Sequence, residues 1–372
     1  MSTNGVNAES VEHAPDAILS RMEVELTGAA GAGIESWRDI REAAREVPGG
    51  RPDAIVLTGC GDSYYAAIAL RGLLEAAAGV PVLAVPAMEA VTFPSALATP
   101  RALVVGISVS GKVESTIQAV TEHRGRGGAT ASISAHADSD LGLAADARIA
   151  TGFRGTPGPV PGTANYLGSM LGLVAIAAEL ADRERTPAVT DAAVIAALHA
   201  LDEVVATGRG RASAEAATLE PPFFSIGSGP DYGTAWFGVA KFIEAAATVG
   251  VAQDLEEWAH EQYFTTRPGT TVFVHATTPA VVERARRVAG SVVKVGGRLV
   301  TIAPEPLGIT EEQHWPLPDV ADELVPLVAW APVAMTALAY ARHAERFPFG
   351  IDLPGRMRTV DEDIYLAQPK RA

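Results

Sequence analysis

The 372-residue chain has little cysteine and few aromatic residues: Cys60 is its one cysteine, and Phe, Trp and Tyr together make up 6%. A single cysteine excludes a disulfide framework and a cluster of thiolate metal ligands. Because hydrophobic residues still make up 48% of the chain, the core has to be built from Ala, Val, Leu and Ile. That composition is typical of parallel sheets covered by helices, and it favours the α/β class.

Positive charge is also scarce, with 29 Lys and Arg against 44 Asp and Glu and a formal net charge of −15. Such a surface is unsuited to neutralising a phosphate backbone, so we expect no nucleic-acid partner. A single small anionic ligand remains compatible with this charge, because backbone amides at a helix N-terminus bind phosphate without a basic surface.

Long apolar runs are missing too, since none reaches the roughly 18 residues that suggest a membrane-spanning helix. The N-terminal segment MSTNGVNAESVEHAPDA has neither the basic nor the apolar region of a signal peptide. We therefore expect a cytoplasmic protein with no membrane partner.

Short β-rich runs, polar turns and helical stretches alternate along the chain, which predicts parallel sheets wrapped by helices. Apolar spacing over residues 17–45 indicates two amphipathic helices. The order strand, Gly-containing turn, helix occurs in AIVLTGCGDSYYAAIALRGLL and again in PPFFSIGSGPDYGTAWFGVAKFIEAA, which indicates an internal duplication. The predicted order is a helical arm at 1–48, a first doubly wound, flavodoxin-like domain at 49–187, a helical linker at 188–212, a second such domain at 213–345 and a C-terminal tail at 346–372.

Two Gly-containing turns lie where a predicted strand runs into a helix. In GISVSGKVEST, Ser108, Ser110 and Gly111 would present hydroxyls and free amides that chelate a phosphate oxygen. A turn and helix cap without any ligand would use the same residues. The other turn, TGCGDS, ends in Ser63, and a nucleotide site is not indicated because neither GxGxxG nor GxxxxGK[ST] is present.

A third motif, KFIEAAATVGVAQDLEEWAHEQ, contains three residues suited to proton transfer. Lys241 and Glu244 are three apart on one predicted helix and share a face, and His260 follows after a second short segment. A Lys and Glu pair at this spacing is most often solvated, and a lone histidine is usually a surface or core residue. From spacing alone, a surface pair and an active site both remain open.

Taken together, these motifs resemble the double sugar isomerase (SIS) domain family, and most closely the isomerase half of glutamine-dependent glucosamine-6-phosphate synthases. GCGDS matches the family's Gly-rich turn, and SVSGKVEST matches in part its phosphate loop SxSGxTxxT. Gly155, Thr156, Val160 and Thr163 are similar to its active-site loop. The resemblance implies two tandem SIS domains that bind a phosphosugar between them.

Lys241, Glu244 and His260 have the spacing of the family's own residues without a gap. The resemblance implies that Glu244 moves the proton between C1 and C2 of the sugar and that His260 helps to open the ring. Lys241 is then expected to stabilise developing oxyanion charge. Because the family's histidine reaches the site of the partner subunit, a homodimer with a shared site is implied. No metal and no cofactor are expected.

The chain departs from the family pattern in the phosphate loop and in the tail. Val113 replaces the loop's threonine and Lys112 stands where an acidic residue is common, so phosphate contacts are expected to shift to the Lys112 ammonium. The tail GIDLPGRMRTV keeps Asp352 and Pro354, but Arg358 takes the approximate place of the family's Schiff-base lysine, and arginine stays protonated. The residues expected to hold the substrate and its phosphate are Ser63, Ser108, Ser110, Gly111, Lys112, Thr163 and Arg358.

The leading hypothesis is an enzyme that interconverts an aldose phosphate and a ketose phosphate, or their amino-sugar counterparts, through an enediol or enolamine. An amino-sugar-phosphate deaminase or a fructosamine-type deglycase would use the same residues. A non-catalytic phosphosugar-binding regulator is favoured by the missing loop residues and disfavoured by the intact trio. Glutamine-dependent amination is not expected, because no glutaminase domain with a cysteine nucleophile precedes the SIS pair.

Overall fold

The computed structural model describes residues 14–48, 51–93, 101–153, 158–181 and 189–352. These residues form two five-stranded parallel sheets with flanking helices. The predicted α/β class with two tandem doubly wound units is confirmed.

A single 30-residue helix, α1 (Pro15–Ala44), precedes the first sheet. The prediction of two helices in this region was wrong, because the buried stripe continues without a break from Ile18 to Ala44 through the glycine-containing middle. A Cβ at Gly33 would lie 2.9 Å from Cδ2 of Leu198, so the glycine admits a close neighbour there. Tertiary packing therefore holds α1 together where helix propensity is low.

The first sheet is built from strands and helices in strict alternation. The elements are β1 (Ile55–Gly59), α2 (Asp62–Ala78), β2 (Val82–Pro86), α3 (Ala87–Thr92), β3 (Leu103–Ile107), α4 (Glu114–Gly125), β4 (Ala129–Ser134), α5 (Asp140–Ala144), β5 (Ala147–Ala150) and α6 (Ala164–Leu180). The strand order is β2-β1-β3-β4-β5, with all neighbours parallel. Strands β1 and β3 are buried at every position, as expected for central strands covered on both faces.

The second sheet follows a long connecting helix and repeats the same plan. Its elements are α7 (Asp191–Ala216), β6 (Phe223–Ile226), α8 (Pro230–Ala246), β7 (Gly250–Gln253), α9 (Leu255–His260), β8 (Thr271–His275), α10 (Pro279–Lys294), β9 (Arg298–Ala303), β10 (Gln313–Pro316), α11 (Pro326–Ala329) and α12 (Ala331–His343). Short 3₁₀ turns lie at Gln262–Thr265, Asp322–Leu324 and Pro348–Gly350. The strand order β10-β9-β8-β6-β7 is that of the first sheet read from its other edge.

The turn that leads into the first helix of each sheet is duplicated in detail. Gly61 has φ 54 and ψ −129, and Gly229 has φ 63 and ψ −126, a conformation that favours glycine. A Cβ at Gly59 would lie 2.9 Å from the Cβ of Ser63, and a Cβ at Gly227 would lie 2.5 Å from the Cβ of Asp231. Ser63 and Asp231 are thus equivalent positions of the two repeats.

The segment predicted as a helical linker is a core helix that extends past the predicted end. In α7, the Thr190 hydroxyl oxygen accepts a hydrogen bond from the amide of Ala193 at 3.2 Å and caps the helix. The helix packs against α1 and α12. The domain boundaries themselves stay predictions.

Helices α2 and α8 join the two sheets. A Cβ at Gly233 in α8 would lie 2.6 Å from the carbonyl oxygen of Tyr65 and from the amide nitrogen of Ala69, so the two backbones approach closely there. Tyr65 also stacks on Trp236, with ring centroids 5.6 Å apart and planes at 14°. The first turns of α2 and the first turns of α8 are thereby fixed relative to each other.

Within the described residues, the helical stretch Asp322–His343 is long and apolar enough to cross a membrane. Its most apolar window is 94% buried inside the protein. A core helix of a globular protein has the same composition, and α12 fills that role here by packing on α7 and α8.

Candidate active site

The site forms where α2 of the first repeat meets the last turns of α8 of the second. The Lys241 ammonium donates hydrogen bonds to Asp62 Oδ2 at 2.7 Å, to Glu244 Oε2 at 2.6 Å and to the Gly162 carbonyl at 3.0 Å. Asp62 is the first residue of α2, and Gly162 lies in the loop just before α6. Three segments distant in sequence therefore converge on one cation.

Lys241 is fully buried, with 0% of its side chain exposed, whereas Glu244 keeps 25%. Reading these two residues as a solvated surface pair was therefore wrong. The helical spacing gave the right face, but α2 and the loop before α6 cover that face. The Nζ atom of Lys241 also lies 4.9 Å from the centroid of the Phe237 ring, which adds a cation–π contact.

The Lys241 ammonium has three N–H donors, and the three hydrogen bonds use all of them. Burial alone would lower the pKa of Lys241, but the charges of Asp62 and Glu244 outweigh it and raise the pKa. The lysine is therefore held as a cation. The expected role as an oxyanion donor would require one of its three hydrogen bonds to be given up.

Glu244 has the properties of a general base that works near neutral pH. Burial raises its pKa to about 7, the Lys241 ammonium opposes that rise, and the negative charge of Asp62 adds to it. A carboxyl group with such a pKa can both take and return a proton at physiological pH. One quarter of the side chain is exposed, so a ligand can reach it.

Two tyrosines lie close to this cluster of charges. Burial, together with the charges of Asp62 and Glu244, raises the pKa of Tyr65 to about 12. Burial and Asp62 also raise the pKa of Tyr166, which stacks on Phe237 with ring centroids 3.8 Å apart. Both phenols therefore stay protonated and neutral.

The predicted phosphate loop lies between β3 and α4. Ser108 is 3% exposed, and its hydroxyl has no hydrogen-bond partner among the described residues. Ser110 and Lys112 are exposed. Gly111 has φ +64, and a Cβ there would lie 2.3 Å from the Cβ of Ser139, so the turn admits glycine alone.

Three further buried polar atoms without partners among the described residues lie on elements next to this loop: the hydroxyl of Thr58 in β1, and the hydroxyl of Thr116 and Oε2 of Glu114 in α4. Hydroxyls with free donors suit an anion, whereas the Glu114 carboxylate opposes a doubly charged one. This opposition adds to the departures already noted at Lys112 and Val113.

The start of α2 and the turn before it contain Ser63 and Cys60. Ser63 is 6% exposed, and its amide donates to the Cys60 carbonyl at 3.2 Å. The Cys60 thiol is exposed and lies 3.8 Å from the Ser115 hydroxyl, which links this turn to the phosphate loop. Two of the predicted substrate-binding segments are thus neighbours.

Thr163 directly precedes α6 and is fully buried. Its amide donates to the Glu25 carboxylate of α1 at 3.1 Å, while its hydroxyl has no partner among the described residues. It adjoins Gly162 and so lies beside the Lys241 cluster.

His260 does not contact Glu244 of the same chain. The imidazole is 71% exposed and lies 3.6 Å from the Glu256 carboxylate on its own helix. Arg358, Gly155, Thr156 and Pro354 lie outside the described residues. The roles predicted for them stay predictions.

Asp62 is the functional candidate that sequence reasoning missed. As the first residue of a helix that follows a glycine turn, it has an ordinary explanation as an acid at the positive end of a helix. No feature of the sequence distinguishes Asp62 from such a residue. Only the folded chain shows that the Lys241 ammonium of the second repeat donates a hydrogen bond to it.

No group of three or more His, Cys, Asp or Glu side chains able to hold a metal ion is found in the ranges of the chain that the structure describes. The charged cluster at Lys241 consists of one cation and two carboxylates, and one oxygen of each carboxylate accepts a hydrogen bond from that cation.

Residues 51–156 match the model of the SIS domain family. Among curated proteins, glutamine–fructose-6-phosphate aminotransferase (isomerizing) from Caldanaerobacter subterraneus subsp. tengcongensis is 25% identical over 305 residues, which cover 79% of this chain and 49% of that protein. The chain thus spans about half the length of this relative.

Solved structures share the fold at lower identity. The C-terminal domain of glucosamine-fructose-6-phosphate aminotransferase from Francisella tularensis has a TM-score of 0.74 at 15% identity and covers 90% of this chain and 99% of its own. Tagatose-6-phosphate ketose/aldose isomerase from Escherichia coli gives 0.69 at 17%, covering 90% and 96%. Glucosamine-6-phosphate deaminase from Thermotoga maritima gives 0.65 at 15%, covering 87% and 94%.

Proposed function

The chain contains a SIS domain at residues 51–156 and has the fold of tandem SIS domains, and from this premise we propose that it is an aldose–ketose isomerase of sugar phosphates. The observation that carries the proposal is the hydrogen bond from buried Lys241 to the partly exposed Glu244, whose pKa burial raises to about 7. Proton transfer between neighbouring carbons requires a base with a pKa near the working pH that the substrate can reach. Glu244 has such a pKa, and one quarter of its side chain is exposed.

In the proposed reaction, the Glu244 carboxylate removes the proton from C2 of the open-chain aldose. The electron pair of that bond forms the C1–C2 double bond, and the carbonyl oxygen at C1 takes up a proton, which gives the enediol. Glu244 then returns its proton to C1 while the hydroxyl at C2 loses one, and the ketose results. No atom enters or leaves the sugar, so the step is balanced.

Lys241 holds Glu244 in place in this mechanism. Its hydrogen bond to Glu244 Oε2 leaves the other carboxylate oxygen available for the substrate. Since its remaining two donors bind Asp62 and Gly162, the lysine also fixes α8 against the first repeat. Positioning of the base is therefore built into the junction of the two repeats.

We further propose that the phosphate binds at the turn before α4 and that His260 of a second copy completes the site. The free hydroxyl of Ser108 supports the first part. The exposed imidazole of His260 supports the second, as do the exposed apolar side chains of Ile243, Val249 and Phe264, which flank Glu244 and His260 in sequence. The homodimer remains part of this proposal.

The test is proton exchange at C1 and C2 in heavy water, followed by NMR with fructose 6-phosphate and with glucosamine 6-phosphate. We expect exchange in the wild type and a loss of roughly 10²- to 10⁴-fold in Glu244→Gln. Glu75→Gln, an exposed carboxylate on α2, is the matched control and should exchange at the wild-type rate. Equal rates in Glu244→Gln and the wild type would contradict the proposal.

Release of an amine from an amino-sugar phosphate is a second candidate, supported by the additional carboxylate Asp62 next to the base. In that reaction water would replace the amine at C2 after the isomerisation step. Free ammonia formed from glucosamine 6-phosphate would identify it. Thermal stabilisation by these sugars without exchange or ammonia would instead identify a binding protein.

A further inference from the structure

We infer that Asp62 determines which substituent at C2 of the sugar this site accepts. Its second carboxylate oxygen, Oδ1, would accept a hydrogen bond from a protonated amine at C2. The inference rests on the proposed function and names the class of substrate, an amino-sugar phosphate. The ammonium of Lys241 is shared by two carboxylates, those of Asp62 and Glu244. With Glu244 ionised, this cluster carries one negative charge in excess.

The two oxygens of Asp62 have different surroundings. Oδ2 accepts the hydrogen bond from Lys241 at 2.7 Å, whereas Oδ1 is buried and has no hydrogen-bond partner among the described residues. A residue that only anchored Lys241 would need one oxygen. A buried carboxylate oxygen without a donor is costly, and a donor supplied by the substrate would remove that cost.

The hydroxyl of Tyr166 is a second buried oxygen without a partner in the described part of the chain. Asp62 is one of the two causes that raise the pKa of Tyr166, so the two side chains lie within electrostatic reach of each other. An ammonium has three N–H donors and a positive charge, so it can donate to Asp62 Oδ1 and keep two donors for further acceptors. A sugar hydroxyl has a single donor and leaves the excess negative charge uncompensated.

The same charge relation links substrate recognition to the base. Asp62 contributes to the raised pKa of Glu244. A cation bound to Asp62 offsets that contribution and so favours the ionised, active form of Glu244. A neutral substituent at C2 has no such effect, so an amino sugar would be both bound and processed in preference.

The experiment compares three sugars that differ only at C2: glucose 6-phosphate, glucosamine 6-phosphate and N-acetylglucosamine 6-phosphate. The rate of C2 proton exchange is measured for the wild type and for Asp62→Asn, which keeps an oxygen for Lys241 and removes the charge. We expect the wild type to prefer glucosamine 6-phosphate, and the variant to lose roughly tenfold or more of that preference, the range for a hydrogen bond to a charged group. Damage common to all three sugars cancels in the ratio.

A second measurement needs only the wild type and guards against a variant that does not fold. The preference for glucosamine 6-phosphate should disappear as the pH rises through the pKa of the substrate's own amine, because the neutral amine no longer matches the carboxylate. A preference that is unchanged by pH, or unchanged in Asp62→Asn, would overturn the inference.

Failure of the proposed function has a different signature. If none of the three sugars exchanges in the wild type, the isomerase proposal fails, and thermal stabilisation by the same sugars then tests Asp62 alone. Stronger stabilisation by glucosamine 6-phosphate that is lost in Asp62→Asn would still support the inference. Equal stabilisation by all three sugars would contradict it.

Discussion

The number of donors on one ammonium governs the chemistry of this site. Lys241 uses its three N–H groups on Asp62, Glu244 and Gly162, which agrees with the proposed role of holding Glu244 in place. Removing the Lys241 ammonium would leave two carboxylates without their cation, and an uncompensated buried charge typically costs about 3–5 kcal/mol. Stability and activity are therefore tied together at this position.

The pH dependence of proton exchange should report Glu244. Its pKa is raised to about 7, mainly by burial. Because the ionised carboxylate is the base, the exchange rate should rise as the pH increases through about 7 and then level off. In Glu244→Gln, any residual exchange rate should not show this rise with pH. A wild-type rate that is flat between pH 6 and 8 would contradict the assignment of Glu244 as the base.

Asp231 should make stability depend on pH in a predictable direction. It is buried, it accepts hydrogen bonds from the hydroxyl of Thr277 at 2.6 Å and from the Thr277 amide at 2.9 Å, and burial raises its pKa from 3.8 to about 6. Since the folded state holds this proton more tightly, the stabilisation is complete below about pH 4 and is lost as the pH rises through about 6.

We expect Asp231→Asn to become more stable relative to the wild type as the pH rises from 4 to 6, by about 3 kcal/mol at most. The comparison is measured by urea unfolding at each pH. The difference between the two proteins is needed, because buried His275, whose pKa burial lowers to about 3, contributes the opposite slope. A difference that does not change with pH would show that Asp231 keeps its ordinary pKa in the folded protein.

Single residues also show where sequence reasoning stops. The i, i+3 spacing of Lys241 and Glu244 placed them on one helix face, but it could not show that this face is covered by another helix. Asp62 was missed for the same reason, because its partner lies 179 positions away in the chain. The buried hydroxyl of Ser108, in contrast, lies in the loop that the sequence marked.

Among the secondary-structure elements, the crossing of α2 and α8 has most influence on the site. It contains the close approach at Gly233, the stacking of Tyr65 on Trp236 and the hydrogen bond from Lys241 to Asp62. A change that separates the two helices should therefore act on stability and on catalysis together.

Gly233→Ala tests this coupling. The added Cβ would lie 2.6 Å from two backbone atoms of α2, which cannot move aside as a side chain can. We expect a loss of about 1–3 kcal/mol in the free energy of unfolding and a slower exchange rate. Urea unfolding and heavy-water exchange measure the two effects.

Gly72→Ala is the matched control, because Gly72 lies in the same helix α2, is exposed, and a Cβ there meets nothing within 4 Å. It should be neutral or stabilising by up to about 1 kcal/mol, since alanine favours the helix. Equal effects of the two substitutions would show that the close approach at Gly233 is not important.

The elements were easier to predict than their extents. The repeated strand, Gly-containing turn and helix identified both sheets, because the glycine turns before α2 and α8 are required by the same backbone conformation. The arm was predicted as two helices and is one, because its middle is stabilised by contact with α7, which local sequence does not reveal.

For the molecule as a whole, the two repeats contribute different residues to the proposed site. The first contains the predicted phosphate loop and Asp62, and the second contains Lys241 and Glu244. In the second repeat, the position of Ser63 is taken by Asp231, whose carboxylate is already occupied by Thr277. The proposed site therefore takes residues from both repeats, and within the described residues the exposed His260 lies beside Glu256 and not beside Glu244.

A mixing experiment tests whether His260 acts in the site of a second copy. Glu244→Gln and His260→Ala should each be inactive alone, because each homodimer lacks one residue at both sites. After the two are unfolded and refolded together, half of the dimers should be mixed, and each mixed dimer should hold one intact site. We expect roughly one quarter of the wild-type exchange rate to return. If activity does not return although mixed dimers form, then His260 does not complete the site of a second copy, whatever its role in its own chain.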